Sequence, residues 1–208
     1  MKEKKSERLL FAALMIIVFA IALTGCIGGS SKPSKFYLLR SMEGSQSSVS
    51  RSSNATPVSV LIGPITLPAY LDRTQFVTLK GRHELVIEEY NRWGESLQDS
   101  FYRVLLEDLS LLLRSAEVYA YDRSSSISTD FQVVIDVTRF DNVAGGDACL
   151  TAFWSLTGED NPAPLLKRKS AFREAMTSSG MAGIVDAQNR TLTAFSREIA
   201  SAIRSLQR

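Results

Sequence analysis

The stretch Val58–Trp93 constrains the fold more than any other part of the chain, because it alternates strand-forming runs with prolines and glycines. Valine, isoleucine, phenylalanine and tyrosine suit a half-buried pleated surface, and proline confines strand pairing to the segments between the prolines. The pattern predicts a strand over Val58–Ile62 that Gly63-Pro64 stops, a second stop at Leu67-Pro68, a rigid loop at residues 69–73, and strands at Gln75–Leu79 and Glu84–Glu88. The stretch carries no set of catalytic groups, which favours a binding or assembly role.

The N-terminus has the three parts of a secretory signal. Residues 1–8 are polar with a net positive charge, Leu9–Leu23 is an unbroken apolar run of 15 residues, and Leu23-Thr24-Gly25-Cys26 ends it. The run is short for a bilayer-spanning helix, which needs about 20 apolar residues. The four residues ending at Cys26 resemble the bacterial lipobox, in which the cysteine is diacylated, becomes the new N-terminus and is acylated again. The alternative is an uncleaved anchor that ends in a cysteine by chance.

Acylation of Cys26 would set both the organisation of the chain and its location. Residues 1–25 would be the lipoprotein signal peptide, and residues 26–34 would be a lipidated, flexible tether to the membrane. Two or more palmitate-length chains hold a protein stably, because each buried CH₂ contributes about 0.8 kcal/mol. Ile27 is not the aspartate that retains lipoproteins at the inner membrane of Gram-negative bacteria. The expected location is therefore the outer membrane, on its periplasmic side.

Charge and cysteine content narrow the function further. The chain has 24 basic and 22 acidic residues, of which four basic and two acidic ones lie in residues 1–25, so the mature part is neutral. A neutral domain is a poor candidate for sequence-independent nucleic-acid binding, which depends on clustered lysine and arginine, so no nucleic-acid partner is expected. If Cys26 carries lipid, Cys149 is the remaining cysteine and no intramolecular disulfide can form. Cys149 lies in an apolar strand and is expected to be buried and inert.

Residues 35–208 predict a single periplasmic α/β domain: a mixed, largely antiparallel β-sheet flanked by helices, with a long C-terminal helix. Leucines at three- and four-residue intervals predict a helix at about Glu95–Arg114, whose start at Ser96 has capping-box spacing, and the helical period returns from about Gly180. Residues 41–56 are rich in serine and predict a flexible loop. The remaining predicted strands are Lys35–Leu39, Val118–Tyr121, Phe131–Val137, Ala148–Thr157 and Leu165–Arg173, the last with Lys167, Arg168 and Lys169 on an edge.

The residues that could support catalysis do not form a recognisable site. His83 is the only histidine, in a Gly81-Arg82-His83 turn, and the sequence has no G-x-S-x-G elbow that would place a nucleophile beside it. One histidine and one free cysteine cannot form a tetrahedral zinc site. Gly145-Gly146 lies in a hairpin turn and lacks the spacing of a phosphate-binding loop. We therefore expect neither an enzyme nor a cofactor or metal.

Asp72 and Arg73 are the residues of the rigid loop with the most chemical interest. An adjacent acid and base between Tyr70 and Phe76 could hold the loop by local hydrogen bonds, or could present a recognition pair to a partner. Both interpretations are compatible with the sequence. The candidate partner-binding residues are Pro68, Tyr70, Asp72 and Arg73.

Several motifs together resemble the auxiliary lipoproteins of ABC-type transport systems, the PqiC (YmbA-like) family. They are the lipobox at Cys26, Phe36-Tyr37-Leu38, the sequence from Ile62 to Arg73 with Gln75, Asn91-Arg92-Trp93-Gly94-Glu95 with Leu97, Arg139-Phe140-Asp141, and the Ala187–Ile203 helix. Two features depart from the family pattern: Thr74 stands where proline is frequent, and the 41–56 loop is long.

The resemblance implies an α/β domain that works beside an MCE-domain protein and an ABC-type or integral-membrane component. That system moves phospholipid across the envelope and so maintains membrane integrity. The lipoprotein would be its outer-membrane docking subunit, held in the membrane by acylated Cys26. The family has no catalytic residues to transfer. The alternative is a periplasmic lipid carrier with its own apolar cavity, and the sequence leaves a homo-oligomer open.

Overall fold

The computed structural model describes residues 13–16, 32–42, 58–81, 83–113, 116–122, 127–143, 146–159 and 161–207. The chain divides into the units Met1–Pro33 and Ser34–Arg208, and the second contains all the elements that follow. They are, in order, β1 (Lys35–Tyr37), β2 (Val58–Thr66), a 3₁₀ turn (Ala69–Leu71), β3 (Gln75–Lys80), β4 (Glu84–Trp93), α1 (Leu97–Leu113), β5 (Ala116–Ala120), β6 (Phe131–Asn142), β7 (Ala148–Gly158), β8 (Asn161–Glu174) and α2 (Gly180–Leu206).

The strands form two mixed sheets, which confirms the predicted α/β class with a largely antiparallel arrangement and a long C-terminal helix. The smaller sheet has the order β1-β4-β3, with β1 parallel and β3 antiparallel to β4. The larger sheet has the order β5-β2-β6-β7-β8. Its β5-β2 and β2-β6 pairs are parallel, whereas β6-β7 and β7-β8 are antiparallel. The sequence predicted one sheet, and the separate β1-β4-β3 sheet is a difference.

The main core lies between the larger sheet and the two helices. Alternate residues of β6 and β7 point to this core, as the alternating pattern predicts: Val133, Ile135, Val137, Leu150, Ala152, Trp154 and Leu156 are all buried. Helix α1 contributes Leu97, Phe101, Leu105 and Leu109, and α2 contributes Leu192, Phe195, Ile199 and Ile203. Ser96 Oγ accepts a hydrogen bond from the Asp99 backbone amide at 3.0 Å, which confirms the predicted N-cap of α1.

The prediction that Gly63-Pro64 ends the first long strand is wrong. Strand β2 continues to Thr66 through a cis Gly63–Pro64 peptide and a register shift between Ile62 and Ile65. The carbonyls at this irregularity are satisfied from distant residues: Tyr102 Oη donates to the Ile62 carbonyl at 2.7 Å and the Tyr121 amide donates to it at 3.0 Å, and Gln132 Nε2 donates to the Gly63 carbonyl at 2.9 Å. Tertiary hydrogen bonds therefore replace the ladder bonds that the Gly-Pro step lacks.

Other boundaries also differ from the predictions. Strand β1 ends at Tyr37 instead of Leu39, and β4 continues to Trp93 instead of stopping at Glu88. Strand β8 begins at Asn161, four residues before the predicted start, and forms an edge of the larger sheet as expected. Cys26, nearly all of the signal peptide, most of the tether and nearly all of the 41–56 loop lie outside the described residues. Within the described residues, no helix is long and apolar enough to cross a membrane.

Candidate functional site

The loop over Pro68–Arg73 is a single turn of 3₁₀ helix that follows β2. Its backbone closes with hydrogen bonds from the Leu71 amide to the Pro68 carbonyl at 2.9 Å and from the Asp72 amide to the Ala69 carbonyl at 3.1 Å. Arg73 Nε adds a bond to the Tyr70 carbonyl at 3.1 Å. The loop is therefore held by its own backbone and by one of its two charged side chains, as the prediction of a rigid loop requires.

Tyr70 connects this loop to the end of β6. Its hydroxyl donates to Asp141 Oδ2 at 2.9 Å, and Arg139 Nε donates to Asp141 Oδ1 at 2.8 Å. The Asp141 side chain is only 2% exposed, whereas the Arg139 side chain is 37% exposed. A buried carboxylate needs both a counter-charge and hydrogen bonds to offset its lost hydration, and these two partners supply them.

Burial and the neighbouring carboxylate keep the Tyr70 phenol protonated. The pKa of Tyr70 is raised well above its ordinary value, first because the hydroxyl is desolvated and then because Asp141 lies beside it. The protonated hydroxyl is the form that can donate to the carboxylate. Tyr70 can therefore donate this hydrogen bond at neutral pH.

A small aromatic cluster supports the loop from behind. Leu71 is buried, and Phe76 stacks on Trp93 with ring centroids 3.9 Å apart. Tyr37 meets the Phe76 ring edge to face at 5.5 Å. The Trp93 amide donates to the Thr74 carbonyl at 2.7 Å, which ties the residue after Arg73 to the end of β4. The loop motif and the Asn91-Arg92-Trp93 motif, which the sequence places apart, are thus in contact.

The predicted partner-binding residues differ in their exposure to solvent. Asp72 and Arg73 are exposed, whereas Pro68 and Tyr70 are half-buried. Asp72 forms no side-chain hydrogen bond or ion pair with any described residue, so its carboxylate is free at the surface. Arg73 takes the structural role that the sequence left open, and Asp72 does not. A rigid loop that presents one free carboxylate beside a guanidinium can recognise a complementary surface.

The groups considered for catalysis remain apart. His83 is exposed in the β3–β4 turn, and Cys149 is a buried free thiol on β7. Among the described residues no group of three or more histidine, cysteine, aspartate or glutamate side chains could hold a metal ion. The network around Asp141 is an ion pair with a tyrosine donor, and the buried thiol of Cys149 lies opposite Asp141 in the β6–β7 register.

Sequence reasoning did not identify Arg139 and Asp141 as part of the site. Tyr70 and Asp141 are 71 residues apart, and the pairing of loop and strand follows from the tertiary fold. One signal was available: a strand of alternating apolar residues ends in Arg139-Phe140-Asp141, which places an acid and a base on one face. Such a pair at a strand end indicates a polar contact with another element.

The comparisons agree with this fold. The model of the family "ABC-type transport auxiliary lipoprotein component" matches residues 37–200. The chain is similar to the crystal structure of an uncharacterized protein, with a TM-score of 0.67, 19% identity, and coverage of 83% of this chain and 99% of that one. It is also similar to a protein from Xanthomonas campestris of family DUF330, with a TM-score of 0.62, 15% identity, and coverage of 80% and 93%.

At these identities the two structures show the fold alone. No curated protein matches the sequence. The family model covers most of the chain, from within β1 to within α2, and includes the loop, the Trp93 motif and the Asp141 pair. The chain therefore belongs to the family of ABC-type transport auxiliary lipoprotein components.

Proposed function

We propose that this protein is the outer-membrane-anchored docking subunit of an MCE/ABC-type system that transports lipid across the envelope. The observation that carries the proposal is the family match over residues 37–200, within which the loop at Pro68–Arg73 is fixed to the β6 end through Tyr70 and Asp141. Acylated Cys26 holds the domain at the membrane. The domain then acts through its surface and performs no chemistry on the lipid.

The surface that we assign to docking is the exposed part of the loop, Asp72 and Arg73. A docking surface gains affinity when it is already rigid, because less conformational entropy is lost on binding. The 3₁₀ turn, the Tyr70–Asp141 hydrogen bond and the Arg73 bond to the Tyr70 carbonyl supply that rigidity. The partner is an MCE-domain protein with a complementary charge pair.

The test is affinity capture of the full, lipidated protein from detergent-solubilised envelopes of its own cells, followed by mass spectrometry of the bound proteins. We expect an MCE-domain protein among them and expect the Asp72→Ala/Arg73→Ala variant to recover much less of it. The matched control is Lys80→Ala/Glu84→Ala, which removes an exposed acid and base that pair at 3.5 Å across the β3–β4 turn. Thermal unfolding of each variant shows whether the domain remains folded.

The outcomes separate the two parts of the proposal. If the unaltered protein captures no MCE-domain protein, the assignment to an MCE system is wrong. If Asp72→Ala/Arg73→Ala recovers as much partner as the control variant, docking occurs through another surface.

The carrier alternative requires an apolar cavity that encloses an acyl chain. Three grooves of about 300 to 450 Å³ that are lined by described residues are open to solvent. One of them, with a volume of about 450 Å³, lies on the outer face of β6–β8, where Phe153 is flanked by Lys167 and Lys169. Charged residues lie in the wall of each of these three grooves, and none of the three encloses an acyl chain. If the domain, produced without the acyl chains on Cys26, co-purified with one phospholipid per molecule, the carrier function would be favoured instead.

A further inference from the structure

Two large apolar side chains are exposed at the start of the domain. Phe36 on β1 is 66% exposed, and Leu38, directly after β1, is 45% exposed. The residue between them, Tyr37, points inward to the Phe76–Trp93 cluster. The alternation of a strand therefore turns Phe36 and Leu38 to the outside, where folding gains little from either.

These side chains border a groove that contains further apolar surface. The groove has a volume of about 300 Å³ and lies between the β1 end and the first turns of α2, where Ala182 and Val185 form part of its wall. Leu38 also packs over Gly94, where an added methyl group would come within 3.1 Å of Leu38 Cδ2. The exposed leucine is thus held in place by its neighbours and does not hang free.

Basic and acidic side chains surround Phe36, Leu38 and the groove. Lys35 and Arg40 are exposed on either side of Phe36 and Leu38 in the chain, and Asp186 is the acid that lines the groove. The Arg40 backbone amide donates to Asn189 Oδ1 at 3.1 Å, which fixes the chain beside α2. An apolar patch with lysine and arginine at its rim is the composition that binds at a lipid headgroup layer.

Phe36 and Leu38 lie close in sequence to Cys26, so the expected binding partner of these exposed side chains is the lipid bilayer. Nine residues separate Cys26 from Phe36. Nine residues span at most about 30 Å even when fully extended. A unit of the length of Ser34–Arg208 has a radius of gyration of about 16 Å. Acyl chains on Cys26 would therefore keep β1 within reach of the bilayer.

We propose that Phe36 and Leu38, with Lys35 and Arg40, form a membrane-contact patch that inserts into the headgroup region of the same bilayer that holds acylated Cys26. The patch orients the domain, because the acyl tether alone permits rotation. This inference rests on the lipid anchor of the proposed function and does not depend on the identity of the transport partner.

The test is fluorescence quenching of the full, lipidated protein reconstituted in vesicles of phosphatidylethanolamine and phosphatidylglycerol that contain brominated phospholipid. The probe is Phe36→Trp. The control is Leu165→Trp, at a leucine that is 45% exposed, as Leu38 is. Leu165 lies on β8 about 30 Å along the strand from Glu174, and Glu174 contacts Arg190 of α2 near the groove. The native Trp93 and Trp154 are only 4% and 3% exposed and supply a constant background.

An interfacial side chain lies roughly 5–10 Å deep, so we expect roughly two-fold quenching of the added emission in Phe36→Trp and none in Leu165→Trp. Equal emission from Phe36→Trp in brominated and unbrominated vesicles would overturn the proposal, and the patch would then face water or a protein. Loss of vesicle binding by the unaltered protein would also overturn it, because the anchor would be missing. Capture of the MCE-domain protein is a separate measurement, so a failed patch leaves the docking proposal standing.

Discussion

The hydrogen bond from Tyr70 to Asp141 is the contact through which the loop can be tested most sharply. Tyr70→Phe keeps the ring and removes only the hydroxyl, which lies 2.9 Å from Asp141 Oδ2. The Asp141 carboxylate is 2% exposed, so water cannot easily replace the lost donor. A hydrogen bond to a charged group contributes about 1.5–3 kcal/mol, because the alternative is an unsatisfied buried acceptor.

For a domain of this length, a loss of about 2 kcal/mol lowers Tm by roughly 4–8 °C. We expect that decrease in thermal unfolding of Tyr70→Phe and a parallel decrease in the urea midpoint. Tyr119→Phe is the matched control, because Tyr119 also donates to a carboxylate, Glu117, but on an exposed part of β5. Surface substitutions of this kind change stability by about 0.5 kcal/mol or less.

A double-mutant cycle identifies the charge as the source of the effect. In an Asp141→Asn background the bond from Tyr70 becomes neutral, so the cost of Tyr70→Phe should fall to about 1 kcal/mol. If Tyr70→Phe unfolds at the temperature of the unaltered protein, the loop is not held by this contact. If the cost of Tyr70→Phe is the same in both backgrounds, the charge of Asp141 is not the source of the effect.

Three further predictions concern the core and the helices. Phe195→Ala should cost about 3–5 kcal/mol in urea unfolding, because Phe195 is fully buried between Trp154 and Phe172; Phe153→Ala, at a 49% exposed ring, is the control and should cost far less. Gly63→Ala should lower Tm clearly, because Gly63 has φ +117° and an added methyl group would lie 2.8 Å from Tyr121 Cβ; an unchanged Tm would show that β2 can relax there. Burial between α1 and α2 raises the pKa of Asp108 above its ordinary value of 3.8, so the stability that its protonated carboxyl contributes is fully present below pH 3.8 and is lost as pH rises through the raised pKa. Asp108→Asn should therefore become more stable relative to the unaltered protein over that rise. A constant difference in the free energy of unfolding between pH 3 and 7 would contradict the assignment.

Sequence patterns predicted the elements whose signal is local. The alternation over Phe131–Val137, the leucine spacing of α1 and the long helix from Gly180 each repeat over many residues, so tertiary contacts did not override them. The path of β2 through Gly63-Pro64 was missed, because the bonds that support it come from Tyr102 and Gln132 far along the chain. Local rules for proline describe ladder bonds and cannot anticipate such replacements.

For the candidate site, the sequence predicted the loop but not its tertiary contacts. The loop at Pro68–Arg73 was recognised from its prolines and charges, but its attachment to Asp141 depends on a contact between residues 71 positions apart. The sequence also gave no sign that Arg73 would bond to the Tyr70 carbonyl while Asp72 stayed free. Asp108 lies among the leucines of α1, and its burial depends on hydrogen bonds from the Met42 amide at 2.7 Å and from Ser196 Oγ at 3.0 Å, which no local sequence pattern indicates.

The most direct measurement is the mass of the N-terminal peptide of the protein purified from membranes. Attachment to a bilayer through lipid on Cys26 is the condition for both the docking role and the membrane-contact patch. We expect a peptide that begins at Cys26 and carries three acyl chains. A peptide that retains residues 1–25, or that has an unmodified thiol at Cys26, would contradict the proposed anchor and the function built on it.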